Sequence, residues 1–448
     1  MQNLVGAESY GLYFYLLGIS MMLNILLDLG ITNFNNKNIA QNHQLMKKHI
    51  SNIVGFKFLL AGIYAIVCIT TGLIIGCRGI ELRLLIFLIF NQFLISFTLY
   101  LRSNINGLHL FRTDSLLSVL DRSLMIVICS VLLFTNITNH TFKIEWFVYA
   151  QSAAYLIATI ITLGVVLVHT GKLKFQFDPK FFIVFLKKSY PYALLVLLMS
   201  FYNRIDSVML KSLLPDGKAQ AGIYAQAFRL LDAVSMFGVL FAGLLLPIFA
   251  RMIKKREDIG SMVQFSFLLI FVPSIIISFS SGFYNLEIMD YLYDSNIELS
   301  ASILQLLMVS FLGIATTYIF GTLLTANGSI RQLNWMAVVG MVLNIALNVI
   351  LIPRFQAIGS AWASLATQLF TALAQTILAV VILKLTINYR ILGKLILFIG
   401  FVFLAGYASR QINNWFVGYG IMIIASTLFA FLIRLINLKA LIQIIRTE

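Results

Sequence analysis

Long apolar runs separated by short polar connections fill the chain. Thirteen of these runs are long enough to span a bilayer, because a helix that rises about 1.5 Å per residue needs roughly 20 residues to cross about 30 Å of hydrocarbon. The runs are continuous and do not alternate every second residue, which excludes a β-barrel. The pattern therefore predicts an all-α polytopic membrane protein with spans at 11–31, 53–76, 83–103, 116–134, 146–169, 190–213, 222–250, 262–283, 303–325, 333–352, 358–385, 391–411 and 415–437.

The composition supports a membrane environment. Apolar residues make up 60% of the 448 residues and charged residues only 11%, whereas about 25% of a typical soluble domain is charged. The three cysteines lie in or beside apolar runs, without the spacing of a metal site, and we expect them to be reduced packing residues. The sequence contains no phosphate-binding loop, metal-ligand cluster or nucleophile–base arrangement.

Lys and Arg are distributed unevenly between alternate connections. One set of connections carries 21 of the 32 basic residues and the other set carries 7. This bias predicts a cytoplasmic C-terminus and, with an odd number of spans, an external N-terminus. The net charge of +15 is then loop charge beside anionic lipid and not a nucleic-acid-binding surface. Because Met1–Ser9 has no basic residue and no signal-peptide pattern, we expect a late start or a truncation that removes a first span.

Two short motifs recur six spans apart. Gly-Leu-Tyr at 11–13 opens the first span and Gly-Ile-Tyr at 222–224 opens the seventh, while Asn-Gly follows the third span at 106–107 and the ninth at 327–328. Since six is even, the two repeats would have the same orientation, related by an axis along the membrane normal. We therefore expect two pseudo-symmetric lobes around a central cavity. The predicted parts are an N-terminal lobe of five spans (1–170), a C-terminal lobe of six spans (171–385), and two trailing helices with a cytoplasmic tail (386–448).

Eight ionisable residues fall inside the predicted spans, where each costs roughly 2.5–3.5 kcal/mol at a helix centre. Asp206 and Arg229 lie roughly 10 Å from the outer ends of two antiparallel neighbouring spans. Arg204 and Asp232 lie at a second matching depth, roughly 14 Å. The two cross-pairs have a structural and a functional interpretation. They form an ion-paired clamp between two helices, or they form a cationic site for an anionic substrate or a proton relay. The other four residues lie near the cytoplasmic ends of their spans and are Asp28, Lys57, Asp121 and Arg122.

The outer connection 284–302 carries four acidic residues and no cation. Their spacing of three to four residues fits one face of a helix. Carboxylates can serve acid–base chemistry, but we expect a solvated face formed by Glu287, Asp290, Asp294 and Glu298.

The segments 203–210 (Asn-Arg-Ile-Asp-Ser-Val-Met-Leu) and 221–231 (Ala-Gly-Ile-Tyr-Ala-Gln-Ala-Phe-Arg-Leu-Leu) resemble the central signature of bacterial polysaccharide-biosynthesis flippases. These form the O-antigen-type branch of the multidrug/oligosaccharidyl-lipid/polysaccharide exporter superfamily. Family members typically have two lobes of six helices and two further helices, so the resemblance implies that this chain starts at the second helix of the family. Further matching stretches are 6–13 with 28–30, 245–247, 344–353 and 358–364.

The resemblance implies transport of an undecaprenyl-diphosphate-linked oligosaccharide, such as an O-antigen, capsule or exopolysaccharide repeat unit, across the inner membrane by alternating access. Its diphosphate and sugars cannot cross the hydrocarbon core unaided. Lys57 and Arg122 are expected to meet the diphosphate from the cytoplasmic side, and Arg204 and Arg229 to draw it outward. We expect no catalytic residue, metal or cofactor, although H⁺ or Na⁺ is a possible coupling ion. The candidates for coupling or ion pairing are Asp28, Asp121, Asp206 and Asp232.

Two other functions stay open at this point. A multidrug/cation antiporter of the related branch would favour acids in its site, and the intramembrane acids and bases are four each. A membrane-embedded glycan polymerase or glycosyltransferase would need a sizeable site outside the bilayer, and the longest connections have about twenty residues. The expected partners are the lipid-linked oligosaccharide, the bilayer, and the polymerase and glycosyltransferases of the same pathway.

Overall fold

A computed structural model of the chain is α-helical throughout the residues that it describes, which are 1–32, 46–108, 110–135, 142–170, 179–386 and 388–436. Thirteen α-helices and one 3-10 turn (Asn24–Leu27) form these ranges, which contain no β-strand. The helices are α1 (Gln2–Met22), α2 (Met46–Ile74), α3 (Ile80–Gly107), α4 (Phe111–Phe134), α5 (Ile144–Thr170), α6 (Pro179–Leu213), α7 (Gly217–Lys255), α8 (Gly260–Phe283), α9 (Asn285–Leu292), α10 (Ile297–Ala326), α11 (Ile330–Leu383), α12 (Tyr389–Ser409) and α13 (Trp415–Leu432).

Eleven helices in the described ranges are long and apolar enough to cross a membrane. One of them, α11, holds two predicted spans in 54 residues, because its backbone leaves helical geometry at Gln356 (φ 52°, ψ −134°), shortly after Pro353. Apart from residues at their ends, twelve of the thirteen predicted spans coincide with these helices. The prediction of an all-α polytopic membrane protein is therefore confirmed.

The first predicted span, 11–31, is wrong in its bounds. The helix α1 begins at Gln2 and ends at Met22, and it is not among the eleven long apolar helices. After the 3-10 turn, Leu29 (φ 47°) and Gly30 (φ 86°) adopt left-handed backbone conformations that an α-helix does not contain. Asp28 therefore lies outside a helix and not inside a span as expected. Its Oδ1 accepts a hydrogen bond from the Thr32 hydroxyl at 2.5 Å.

The chain divides into two compact units, Met1–Gly222 and Ile223–Glu448. In the first unit, α1 packs on α3 and α6, and α5 packs on α3 and α4. In the second unit, α10 packs on α8 and α11, while α12 and α13 pack on each other and on α8. The three-part division at 170 and 385 stays a prediction. Residues 33–45 of the predicted cytoplasmic connection 32–52, residues 171–178 of the connection 170–189, and the tail after 436 lie outside the described residues.

The two glycines of the recurring motif are positions of close helix approach. A Cβ atom on Gly11 would overlap the backbone of Lys218 and Gly222, and a Cβ atom on Gly222 would overlap the backbone of Ala7. The Gln2 side chain reinforces this crossing, because its Nε2 donates to the Gly222 carbonyl oxygen at 2.8 Å. Small residues are typical where membrane helices approach closely, so the start of α7 is held against α1 by these glycines.

Candidate functional site

The two tyrosines of the recurring motif make equivalent contacts, each within its own unit. Gln151 Nε2 of α5 donates to the Tyr13 hydroxyl of α1 at 3.0 Å. The Tyr224 hydroxyl of α7 and the Ser364 hydroxyl, in the second half of α11, share a hydrogen bond of 3.2 Å. The helix α5 holds the fifth predicted span and the second half of α11 holds the eleventh. The contacts therefore repeat with the six-span offset of the sequence motifs, which supports the predicted duplication.

In Met1–Gly222, five polar residues of α1, α4, α5 and α6 are called the polar line below; they are Tyr13, Asp121, Arg122, Tyr155 and Arg204. Arg204 of α6 and Tyr155 of α5 both lie close enough to Tyr13 to interact with it electrostatically. Tyr155 in turn interacts electrostatically with Asp121 and Arg122 of α4. Three of the predicted site residues thus lie within electrostatic range of two tyrosines that sequence analysis did not assign to the site. Arg204, Asp121 and Tyr155 are half-buried, and Arg122 is exposed.

Asp206 follows Arg204 on α6 but has a different environment. Its side chain is 1% exposed, whereas Arg204 is half-buried. Residues two apart on a helix point in different directions, and α1 approaches this stretch closely, since a Cβ atom on Gly18 would lie 2.5 Å from the Ser207 hydroxyl oxygen. Asp206 is therefore an interior residue of the first unit. Its predicted pairing with Arg229, and that of Arg204 with Asp232, stay predictions.

Lys57, in the first half of α2, forms a closed ion pair with Asp28. Lys57 is 1% exposed, and its ammonium donates to Asp28 Oδ1 (2.5 Å), the Leu27 carbonyl oxygen (3.0 Å) and the Ser96 hydroxyl (3.1 Å). An ammonium has three donors, so these contacts use all of them. The ammonium also lies 5.8 Å from the centroid of the Tyr100 ring. These partners offset the free-energy cost of burying the Lys57 ammonium. A diphosphate could therefore bind Lys57 only by displacing them.

In Ile223–Glu448, Arg229 is tied to the connection between α9 and α10. Its guanidinium interacts with the Tyr293 hydroxyl, and Asp232, one turn further along α7, lies within electrostatic range. Tyr293 also donates to the Gln226 carbonyl oxygen at 3.3 Å, and the Gln226 side chain donates to the Ser295 carbonyl oxygen at 3.3 Å. Burial raises the pKa of Tyr293, and Arg229 opposes this shift. Arg229 is therefore held where α7 meets this connection.

Sequence analysis missed one charged cluster in the first unit. Glu81, in the first turn of α3, accepts a hydrogen bond from the Tyr15 hydroxyl (2.6 Å) and forms an ion pair with Lys218 of α7 (2.8 Å). Lys211, near the end of α6, donates to a backbone carbonyl of the α2–α3 connection (3.3 Å), and its ammonium lies 5.3 Å from the Tyr15 ring centroid. The buried Cys77 thiol lies 3.7 Å from the Tyr15 hydroxyl, and burial raises its pKa. These five residues are called the Glu81 cluster below.

The acidic connection 284–302 is only partly a solvated face. Asp290, Asp294 and Glu298 are exposed as expected. The prediction is wrong for Glu287, because this residue forms an ion pair with Arg410 at the end of α12. The Arg410 guanidinium also lies 5.2 Å from the centroid of a buried tyrosine ring at the start of the connection. The pair therefore fastens α9 to the trailing helices of the second unit.

Two asparagines of the matching stretch 344–353 have a structural role. Asn348 Nδ2 donates to Asn344 Oδ1 at 3.1 Å, and the Ser360 hydroxyl donates to Asn348 Oδ1 at 2.9 Å. All three side chains are completely buried. Because Asn348 and Ser360 lie on opposite sides of the break at Gln356, this network joins the two halves of α11.

The chemistry offered by these groups is binding and ion exchange. Guanidinium groups match the oxygens of phosphate groups and stay charged, while tyrosine hydroxyls and glutamine amides suit the hydroxyls of sugars. Within the described ranges, no group of three His, Cys, Asp or Glu side chains is arranged to hold a metal ion.

Comparison with protein families decides where the chain belongs. A family model described as "Polysaccharide biosynthesis protein" matches residues 1–253. The chain is a member of the polysaccharide biosynthesis protein family. This confirms the family-level resemblance carried by the segments at 203–210 and 221–231. No curated protein sequence matches the chain.

Solved structures show the fold that this family member adopts. The lipid II flippase MurJ, in an inward closed conformation, is 15% identical with a TM-score of 0.64, over 96% of this chain and 97% of that chain. A multidrug resistance MATE family transporter of the MOP superfamily, in an inward-facing conformation, is 15% identical with a TM-score of 0.62, over 84% and 90%. The Vibrio cholerae MATE transporter VcmN is 12% identical with a TM-score of 0.54, over 82% and 85%. The chain is thus a multi-pass membrane protein with the fold of these transporters.

Proposed function

We propose that this protein carries a polyprenyl-diphosphate-linked oligosaccharide across the bacterial inner membrane by alternating access. The observation that carries the proposal is the polar line of the first unit, in which Arg204 lies within electrostatic range of Tyr13, and Arg122 within electrostatic range of Tyr155. Membership of a polysaccharide biosynthesis family supports a glycan as the cargo. An O-antigen, capsule or exopolysaccharide repeat unit fits this description, and the C-terminus then faces the cytoplasm.

The proposed ligand matches the groups along the line. The diphosphate needs cations inside the hydrocarbon region, and Arg204, Arg122 and Arg229 are the arginines on the described helices that we assign to it. The sugars need hydroxyl and amide partners, which Tyr13, Tyr155 and Gln151 would supply once the ligand displaces their present contacts. The polyprenyl tail would stay in the lipid, because no gain follows from removing it.

The closed pair of Lys57 and Asp28 suggests a coupling role that differs from direct capture of the diphosphate. Protonation of Asp28, or binding of Na⁺ to it, would free Lys57 for an anion, since the pair holds one of the three donors of the ammonium. A cation gradient supplies about 2.3 kcal/mol per charge for each 100 mV. Asp121, Asp206 and Asp232 are the other acids to which we assign coupling or pairing. Glycan polymerase and glycosyltransferases of the same pathway would supply and consume the cargo.

A second candidate function is antiport of organic cations. The 1% exposure of Asp206 favours it, because a buried carboxylate is the kind of group that binds a cation or a proton. Efflux of a cationic dye from cells that express the protein would support this candidate, and flipping of a lipid-linked oligosaccharide would support the first.

The deciding experiment measures flipping in proteoliposomes. A fluorescent undecaprenyl-diphosphate oligosaccharide is reconstituted with the protein, and the fraction that becomes accessible on the other leaflet is followed with time. We expect Arg204→Ala to abolish flipping at an unchanged protein level, and Arg331→Ala, at an exposed arginine at the start of α11, to leave it unchanged. If protein level and flipping fall together in Arg204→Ala, Arg204 belongs to an ion-paired clamp instead.

A further inference from the structure

The Glu81 cluster carries more positive than negative charge. One carboxylate, that of Glu81, faces two ammonium groups, because Lys218 pairs with it at 2.8 Å and Lys211 lies within electrostatic range. Glu81 also occupies the first turn of α3, where the helix dipole favours an anion. The side chain of Lys218 is 37% exposed and that of Glu81 is 13% exposed. Lys218 is therefore more accessible to a ligand than the carboxylate with which it pairs, while Lys211 is half-buried.

The cluster lies at the opposite end of the first unit from the Lys57–Asp28 pair. Its residues come from α1, the α2–α3 connection, the first turn of α3, the end of α6 and the start of α7. Lys57 lies 17 residues before the end of α2 at Ile74, which is about 26 Å along the helix axis. The distribution of Lys and Arg between the connections predicts that this end faces outward. The Glu81 cluster is thus predicted to lie nearer the outer side of the membrane than the Lys57–Asp28 pair.

We propose that Lys211 and Lys218 form an anion-binding site for a phosphate or diphosphate group, which Glu81 occupies as an internal anion when no ligand is present. A diphosphate carries more negative charge than one carboxylate, so it can satisfy both ammonium groups where Glu81 satisfies one. Lysine is a common phosphate-binding residue. The Tyr15 hydroxyl, which now donates to Glu81, would be able to donate to a phosphate oxygen instead.

In the cell, the ligand would be the diphosphate of the lipid-linked oligosaccharide on the outer side, before its release. This identification rests on the proposed function, whereas the existence of the site does not. Glu81 would then favour release, because it returns to Lys218 as the diphosphate leaves. A phospholipid headgroup shares the same phosphate chemistry and is the other source that the experiment distinguishes.

The proposal predicts an effect of unusual sign, since removing a negative charge from an ion pair should strengthen anion binding. In phosphatidylcholine nanodiscs, we expect Glu81→Gln to bind inorganic pyrophosphate about five-fold more tightly than the wild type, which corresponds to one partly exposed ion pair. Lys211→Gln and Lys218→Gln should each bind it about five-fold more weakly. Titration calorimetry on the full chain measures these affinities, and thermal unfolding shows which variants remain folded. Lys218→Gln keeps the proposal testable if Glu81→Gln does not fold.

A matched pair of controls lies at the other end of α7. Lys255 and Glu257 also form a Lys–Glu ion pair, at 3.7 Å, and both are exposed. Glu257→Gln and Lys255→Gln should leave pyrophosphate affinity unchanged. Affinity that does not rise in Glu81→Gln and does not fall in Lys218→Gln, or that changes equally in the controls, would overturn the site.

Two further measurements complete the experiment. One distinguishes a lipid headgroup from the transported diphosphate as the ligand, and the other distinguishes failure of the site from failure of the proposed flippase function. Competition by phosphatidylglycerol in the nanodisc, lost in Lys218→Gln, supports the site and assigns it to lipid headgroups. Slower oligosaccharide flipping in Lys218→Gln, without that competition, supports it and assigns it to the transported diphosphate. If the wild type does not flip the oligosaccharide but the pyrophosphate affinities change as expected, the flippase function fails and the site stands. If the wild type flips it and the affinities do not change, the site fails and the function stands.

Discussion

The two units share contacts that hold their helices together and differ in where they carry charge. Tyr13 in the first unit and Tyr224 in the second each join their helix to the helix that holds the span four later in their repeat. The charged positions do not recur. The predicted spans 53–76 and 116–134 contain three of the eight intramembrane charges, whereas their counterparts six spans later, 262–283 and 333–352, contain none.

This difference separates what the helices need for packing from what they carry for another purpose. The second unit packs α8 and the first half of α11 without any charge in those predicted spans, so a unit of this kind does not need one to fold. Replacing a buried ion pair by apolar residues is often neutral or stabilising. The Lys57–Asp28 pair therefore points to a task that the first unit performs and the second does not.

The largest loss of stability is expected from substitutions of the recurring glycines, which lie where two helices approach closely. Gly11→Ala and Gly222→Ala should each destabilise the protein by more than about 3 kcal/mol, because the added Cβ meets backbone atoms that cannot move to another rotamer. Thermal unfolding monitored by size-exclusion chromatography in detergent measures the loss. The control is Gly62→Ala in α2, where the added Cβ meets no atom within 4 Å beyond the adjacent backbone of its own helix; it should be neutral or stabilising by up to about 1 kcal/mol. Equal unfolding temperatures for Gly11→Ala and Gly62→Ala would contradict the close approach.

The difference between the units is tested by making the first resemble the second. Lys57→Leu alone should cost about 3 kcal/mol, because it leaves the Asp28 carboxylate, 26% exposed, without its partner. The double variant Lys57→Leu, Asp28→Val should recover most of this stability and still lose flipping. Unfolding temperature and the proteoliposome assay are measured on both variants. A double variant that is stable and flips the oligosaccharide as the wild type does would reduce the pair to a helix clamp.

Apolar length predicted the helices well, and it failed where backbone geometry changes inside an apolar run. The stretch Leu23–Leu29 is apolar enough to continue a helix, but the 3-10 turn and the left-handed Leu29 and Gly30 end it. The Glu81 cluster was invisible to motif analysis, because its residues come from α1, α3, α6, α7 and a connection, up to about 200 residues apart in the chain. The tyrosine contacts were hidden for another reason: their partners, Gln151 and Ser364, differ in type, so only the tyrosines recur as a motif.

Substitution of the two recurring tyrosines has the smallest expected effect. It tests whether each tyrosine only packs its helices or also takes part in transport. Tyr13→Phe and Tyr224→Phe should each lower stability by about 1 kcal/mol, since each loses one hydrogen bond of similar length. Only Tyr13→Phe should also slow flipping, because Tyr13 lies within electrostatic range of Arg204, whereas Tyr224 stacks on Phe228, with ring centroids 5.6 Å apart. Unfolding temperatures and flipping rates are compared at equal protein level. If both variants slow flipping equally, the polar line of the first unit has no special role, and the charges that distinguish the two units act elsewhere in the transport cycle.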